Sequence, residues 1–155
     1  MIIHFVNQQS DLTLSAKQTR QIVRHVVRAE KQRCNEVSVH FVDTPTICAL
    51  HQQFFQDPSP TDCISFPMDS KEEDPLAYRV LGDVFVCTAT AVAYAQEHSL
   101  NPYEETTLYL VHGLLHLMGY DDLHEADCRL MRQAEARAMQ ELRTLNLVFL
   151  ELNPL

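Results

Sequence analysis

Several absences narrow this sequence before any motif is read. No apolar run approaches the length of about 20 residues that crosses a bilayer, so no membrane association is expected. The start, Met1 to Val6, has neither a basic segment nor a small-residue cleavage site, which argues for a cytoplasmic chain without a secretory leader. Basic residues are scarce: 12 Lys and Arg against 21 Asp and Glu leave a net charge of −9. That balance excludes a protein that coats polyanions through bulk charge, and any nucleic acid must be drawn by a local patch or a bound ion. The five cysteines (Cys34, Cys48, Cys63, Cys87 and Cys128) are odd in number and never spaced C-x-x-C. They exclude a disulfide framework and a zinc ribbon, and fit reduced, mostly buried thiols. Repeats, low-complexity tracts and linkers are missing as well, so residues 1–155 are expected to form a single domain.

What is present alternates between strand and helix patterns. Short β-like runs cover Ile2–Asn7, Val37–Val42, Cys63–Phe66 and Val80–Cys87. Ser15, with Gln18 three residues later, forms a capping box before the stripe Ile22, Val23, Val26 and Ala29. Pro45 opens a short helix through Leu50 to Phe54, and further helices are expected at Thr88–His98, Pro102–Met118 and Glu125–Leu142. Gln56 to Pro60 reads as a turn and Met68 to Tyr78 as a surface loop. Four strands interleaved with helices predict one α/β layered domain. The Pro102–Met118 helix carries Leu108, Leu110, Val111, Leu114, Leu115 and Leu117 around most of its circumference, which predicts a buried central helix.

On that helix His112 and His116 stand four apart, so both imidazoles leave the same face one turn from each other. Two such imidazoles are half of a zinc or other transition-metal site. Buried separately, each would need its own polar partner, whereas one cation satisfies both. Gly119 supplies the turn that ends the helix, and Asp122 and His124 just beyond it are the candidate third ligands. His4, His25, His40, His51 and His98 show no such pairing and read as structural or surface residues.

The stretch His112–Asp122 resembles the H-G-x-L-H-L-x-G-Y-D-H signature of the YbeY family of single-strand-specific, metal-dependent endoribonucleases. Thr61–Pro67, reading TDCISFP, resembles the family's T-D-V-L-S-F-P, and Leu81–Val84 resembles its L-G-D-I. The order and spacing of the three blocks agree over essentially the whole chain. The resemblance implies a small mixed four-stranded sheet packed with helices around a central metal-binding helix. It implies hydrolysis of RNA phosphodiesters in maturation of the 3′ end of 16S rRNA and in ribosome quality control, with rRNA and ribosomal particles as partners. It also implies one divalent transition metal, zinc, held by His112, His116 and Asp122, with His124 as the alternative third ligand.

Two positions depart from the family, and both bear on chemistry. Asp122 stands where a third histidine is expected, which puts a negative charge on the metal. Phe55 stands where the family carries an arginine, leaving Arg79 as the candidate phosphate contact. Asp83 and Asp121 are expected to support ligands or cap turns rather than act as bases. Lys17, Arg20, Arg24, Arg28 and Lys31 fall three or four apart on the first helix, a stripe suited to a phosphate backbone or simply to solvent. The pattern H-x-x-x-H-x-x-G-x-x-Asp also resembles the metzincin proteases, but their general-base glutamate is replaced by Gly113, which cannot take a proton. A non-catalytic ribosome-assembly factor with a structural metal is the other alternative. The oligomeric state is open, since the apolar tail Leu145–Leu155 can pack on its own domain or on a partner.

Overall fold

The structure, a computed structural model, describes residues 1–68 and 74–151. Among these residues the elements follow the order β1 (Ile2–Gln8), α1 (Ala16–Ala29), β2 (Glu36–Val42), α2 (Thr44–Phe55), β3 (Cys63–Pro67), β4 (Val80–Cys87), α3 (Thr88–His98), α4 (Pro102–Leu117) and α5 (Glu125–Thr144). The strands lie side by side as β1-β2-β4-β3. β1, β2 and β4 run parallel, and β3 pairs antiparallel with β4 at the edge. This is the expected mixed four-stranded sheet.

Alternation decides which face each strand buries. Val37, Val39 and Phe41 of β2 and Val84 and Val86 of β4 are buried on one face, against α1, α4 and α5. The opposite face carries Ser38, His40, Asp83 and Phe85, and α2 covers part of it by setting Ile47 against Val42, Ile64 and Cys87. α4 is the central helix that the sequence predicts, with ten of its sixteen residues buried. Leu110, Leu114 and Leu115 are wholly removed from water, each a gain of about 1.5–3 kcal/mol.

Local chemistry starts and stops these elements. Asn101 Oδ1 accepts from the Tyr103 and Glu104 N–H groups at 2.8 and 3.4 Å, and Pro102 and two glutamates occupy the first turn of α4. At its other end Gly119 adopts φ 103°, its N–H donates to the His116 carbonyl and that of Tyr120 to Leu115, the double bond of a Schellman turn. Asp43, rather than the proline, caps α2, with Oδ1 accepting from the Thr46 N–H. The capping box at Ser15 is only half made: Ser15 Oγ accepts from the Gln18 N–H, but Gln18 Oε1 is buried without a partner. α5 runs two residues past the expected Leu142, because Thr144 and Arg143 continue its hydrogen-bonded turn.

Other expectations are adjusted by packing. The tail folds back on its own domain as far as Phe149, whose ring meets Phe41 edge-on and whose N–H donates to Thr107 Oγ1. Residues 152–155 of that tail, and residues 69–73 of the loop read at Met68 to Tyr78, lie outside the described residues. The cysteines are free, but only Cys87 is fully buried; the other four are half-buried.

Two glycines are required by close approach. A side chain on Gly113 would put Cβ 2.5 Å from Val84 Cγ1, so α4 sits on β4 at a distance only glycine permits. Gly82 has φ 137°, and a Cβ there would stand 2.1 Å from the Phe66 carbonyl oxygen across the β3–β4 ladder. Gly113→Ala should therefore destabilise by about 1–3 kcal/mol through overpacking. Gly82→Ala should cost more, about 2–4 kcal/mol, because backbone strain and a backbone clash add. Urea midpoints at unchanged slope measure both; a Gly113→Ala midpoint equal to that of the unmodified chain would contradict the packing argument.

Candidate metal centre

The four-residue spacing on α4 places the two imidazoles with their Nε2 atoms 3.0 Å apart. The Schellman turn at Gly119 then reverses the chain and carries Asp122 back over them. Asp122 Oδ2 lies 3.5 Å from His112 Nε2 and 3.6 Å from His116 Nε2. Ligands about 2.0–2.2 Å from a tetrahedral ion stand about 3.3–3.6 Å from one another; the two Asp122 separations match that range, and the 3.0 Å between the imidazoles is shorter. His112, His116 and Asp122 form a group that could hold a metal ion.

The proton inventory of the site strengthens that geometry. His116 Nδ1 lies 3.0 Å from the Tyr120 carbonyl oxygen. A carbonyl cannot donate, so Nδ1 carries the hydrogen and Nε2 of the neutral ring is a bare lone pair. His112 Nδ1 lies 2.6 Å from Glu135 Oε1. That carboxylate is also bonded by Arg132 Nη1 at 2.9 and 3.2 Å, so it too is an acceptor and fixes the same tautomer on His112. Two nitrogen lone pairs and a carboxylate oxygen therefore face one point with no hydrogen among them. Acceptors held together repel unless a cation lies between them, and a metal-bound histidine characteristically donates its other N–H to a carboxylate or carbonyl.

The surrounding carboxylates set a field that favours positive charge at the site. Burial alone would depress the His112 imidazole, but the Glu135 hydrogen bond and the fields of Glu135, Asp62 and Asp122 raise it above its ordinary value. Burial likewise disfavours ionised Glu135, yet hydrogen bonds from His112 and Arg132 outweigh it and hold the carboxyl below its ordinary value. Cys63 lies nearby, but burial and the charges of Asp62, Asp122 and Glu135 push its thiol well up, so it stays protonated and is a poor ligand.

Beside the histidines opens a cleft of about 350 Å³, lined by His51 and Phe55 of α2, by Thr61, Cys63, Ile64, Ser65 and Pro67, and by His112 and His116. The expected site residues divide accordingly. His112, His116 and Asp122 come together. His124 is exposed, caps α5 as its N-terminal flanking residue and stands outside the group. Arg79 is not brought to the cleft: its side chain is buried beyond the far end of β4, with Nη1 on Gln32 Oε1 at 3.4 Å and Nε unpartnered. Asp83 faces the other side of the sheet and pairs with His40 at 3.1 Å, so it supports no ligand. Asp121 caps the turn locally, accepting from the Asp122 N–H at 2.7 Å.

Three contributors escaped the sequence reading. His51, expected to be structural, lines the cleft. Tyr120 contributes its backbone carbonyl, and its hydroxyl is tied to Glu30 at 2.8 Å. Glu135 did leave a signal: it is the one charged residue among Met131, Ala134, Ala138, Met139 and Leu142 on the buried face of α5. A carboxylate on an apolar stripe asks for a buried partner.

Removing the Glu135 carboxylate frees the His112 ring to rotate and to exchange tautomers. Glu135→Ala should lower affinity for a divalent transition ion about 10–100-fold, and His124→Ala should change it little. Titration calorimetry against a competing chelator measures both. A Glu135→Ala protein with unchanged affinity would remove the tautomer argument.

Comparison with known proteins agrees with this architecture. The family model described as Endoribonuclease YbeY matches residues 4–143. The chain is 56% identical over 147 residues to the Endoribonuclease YbeY of Protochlamydia amoebophila, covering 95% of this chain and 97% of that protein. It is 33% identical over 134 residues to the Endoribonuclease YbeY of Chlamydia trachomatis serovar D, with 86% and 83% covered. The solution structure of a Thermotoga maritima protein, 22% identical, shares the fold with a TM-score of 0.60 over 94% of this chain and 95% of the other. With the signature histidines, the mixed sheet and the matched length in agreement, the chain belongs to the YbeY endoribonuclease family.

Proposed function

We propose that this chain is a metal-dependent endoribonuclease that cuts single-stranded RNA in the cytoplasm, acting on rRNA in ribosomal particles during maturation of the 16S 3′ end and in ribosome quality control. One zinc ion held by His112, His116 and Asp122 is the cofactor of this reading. The observation that carries it is the convergence of three hydrogen-free acceptors beside an open cleft. Three protein ligands with a free side is the catalytic form of such a centre, whereas a closed set of four is the structural one. That free side favours an enzyme over an assembly factor with a purely structural metal.

When bound, the ion supplies a Lewis acid and a water of lowered pKa. The chain's own groups do the rest. His112 and His116 are held in one tautomer by Glu135 and the Tyr120 carbonyl, so their lone pairs need no reorganisation. Asp122 brings a negative charge in place of a neutral ring, which lowers the positive field available to a phosphate. Among the described residues no lysine or arginine lines the cleft, and Phe55 offers no donor to developing negative charge. Backbone phosphates further along the strand have the α1 stripe, where Lys17, Arg20 and Arg28 are exposed and make no ion pair with a carboxylate among the described residues; Lys31, expected to extend it, lies past the helix end at φ 54°. The protease alternative fails on packing as well as chemistry, because Val84 fills the space a glutamate at position 113 would need.

Incubation of the purified protein with single-stranded and duplex RNA tests this reading. Single strands should be cut and duplex spared, a chelator should stop the reaction and zinc restore it. His116→Ala should lower the rate at least about a hundredfold, the scale of several kcal/mol of lost charge stabilisation. Chelator-sensitive hydrolysis of casein with RNA left intact would move the chain to the protease class.

A further inference from the structure

The cleft beside the histidines has an unusual polar inventory. Among the described residues, the polar side chains that line it are His51, Thr61, Cys63, Ser65 and the two metal-facing histidines. Ser65 Oγ lies 3.0 Å from the Gly113 carbonyl oxygen, which can only accept, so the serine proton is committed there and lone pairs are left for the cleft. Thr61 Oγ1 donates in the same way to Asp62 Oδ1 at 3.3 Å. His51 Nδ1 donates to the Ser59 carbonyl at 2.8 Å, so in the neutral ring Nε2, which stands 3.9 Å from Asp57 Oδ2, is an acceptor.

The backbone repeats this bias. The Cys87 N–H bonds the Asp62 carbonyl and the Met68 N–H bonds the Leu81 carbonyl, so the even-numbered residues from 62 to 68 spend their backbone groups on β4. Cys63, Ser65 and Pro67 turn theirs to the free edge of the sheet. The Cys63 N–H is taken by Asp62 Oδ1 at 2.7 Å and proline has none, which leaves three carbonyls and the single Ser65 N–H on that edge. Acceptors thus far outnumber donors. Such a surface repels phosphate and welcomes a group rich in N–H. At its rim Phe55 is 54% exposed, its ring centroid 5.8 Å from that of His51.

We propose that this cleft is a nucleobase pocket, in which an unpaired base lies on Phe55 and directs an exocyclic amino group at the acceptors of His51, Thr61 and the β3 edge. Cytosine and adenine, which carry that group beside a ring nitrogen able to accept from the Ser65 N–H, fit. Uracil does not: it brings one N–H flanked by two carbonyl oxygens, and these would face lone pairs. The pocket would select the base next to the bond being cut, and it accounts for a single-strand requirement, since a paired base cannot offer its Watson–Crick edge. The volume of about 350 Å³ is at the small end of ligand pockets, room for one base and its sugar. This inference rests on single-stranded RNA being the substrate.

The test compares five-nucleotide oligocytidine and oligouridine, both unstructured, on the metal-loaded protein. Affinity is read by fluorescence anisotropy before cleavage sets in, and kcat/KM by direct competition. The cytidine strand should be favoured by at least about tenfold in both. His51→Phe combined with Thr61→Val should bring the ratio toward one while uridine binding is retained. Phe55→Ala should weaken both strands alike by about tenfold or more, the scale of one base–aromatic stack. Equal affinity and equal cutting of the two strands by the unmodified protein would overturn the pocket and leave the nuclease reading intact, a result that needs no variant to fold. If neither strand binds or is cut, the RNA substrate and the pocket fall together.

Discussion

The structure depends on the close seating of α4 upon β4. Gly113 removes the one side chain that would hold helix and strand apart, and the Ser65 hydroxyl, donating to the Gly113 carbonyl, pins the helix to β3 as well. The histidines one residue before and three residues after that glycine are therefore set on a rigid support of buried leucines. The same contact puts the edge of β3 beside the metal-facing nitrogens, so the cleft and the centre are products of one packing event. Dense interiors transmit small volume changes instead of absorbing them, which is why a missing methyl group at one helix position governs the geometry of a site built from three other elements.

Around that seat the molecule separates its charges by sign and by purpose. Acceptors are gathered at the His112–His116–Asp122 centre and again along the cleft, while Lys17, Arg20 and Arg28 stand exposed on α1. Glu135 and the Tyr120 carbonyl hold the outer N–H of each neutral ring, so the inner lone pairs are turned toward a point that a cation would satisfy. Both of those supports are themselves braced, Glu135 by Arg132 and Tyr120 by Glu30, which in turn pairs with Arg137 at 3.1 Å. A net charge of −9 is compatible with a polyanionic substrate if attraction is delegated to an ion at a centre able to hold one and to the exposed cations of α1.

The two departures from the family pattern alter this arrangement in one direction. Asp122 lowers the charge of the centre, and Phe55 exchanges a cationic donor for an aromatic surface. Both reduce the pull on phosphate. The second also leaves an exposed aromatic face at the cleft, the surface on which the proposed base would lie. His51, four residues earlier on the same helix face, completes that wall.

Periodicity carried most of the fold. The alternation in β2 and β4, the apolar circumference of α4, and the caps at Ser15 and Asn101 are local properties, fixed by steric and hydrogen-bonding preferences within a few residues. His112 and His116 were legible for the same reason, since a helix guarantees that residues four apart share a face; the turn that Gly119 permits left Asp122 and His124 both as candidates for the third position. The rest needed three dimensions. Glu135 lies 23 residues from the imidazole it orients, and His51 lies on a helix that packs on the other face of the sheet; no local pattern brings either to the centre. The buried placement of Arg79 and the turning of Asp83 toward His40 followed from strand register, which decides the face a side chain takes but is itself set by pairing with distant strands. Sequence alone determined the pieces and the two nitrogens of the site. Only tertiary packing decided which carboxylate fixes their tautomers and which residues wall the cleft, because those contacts join elements that no short-range preference connects.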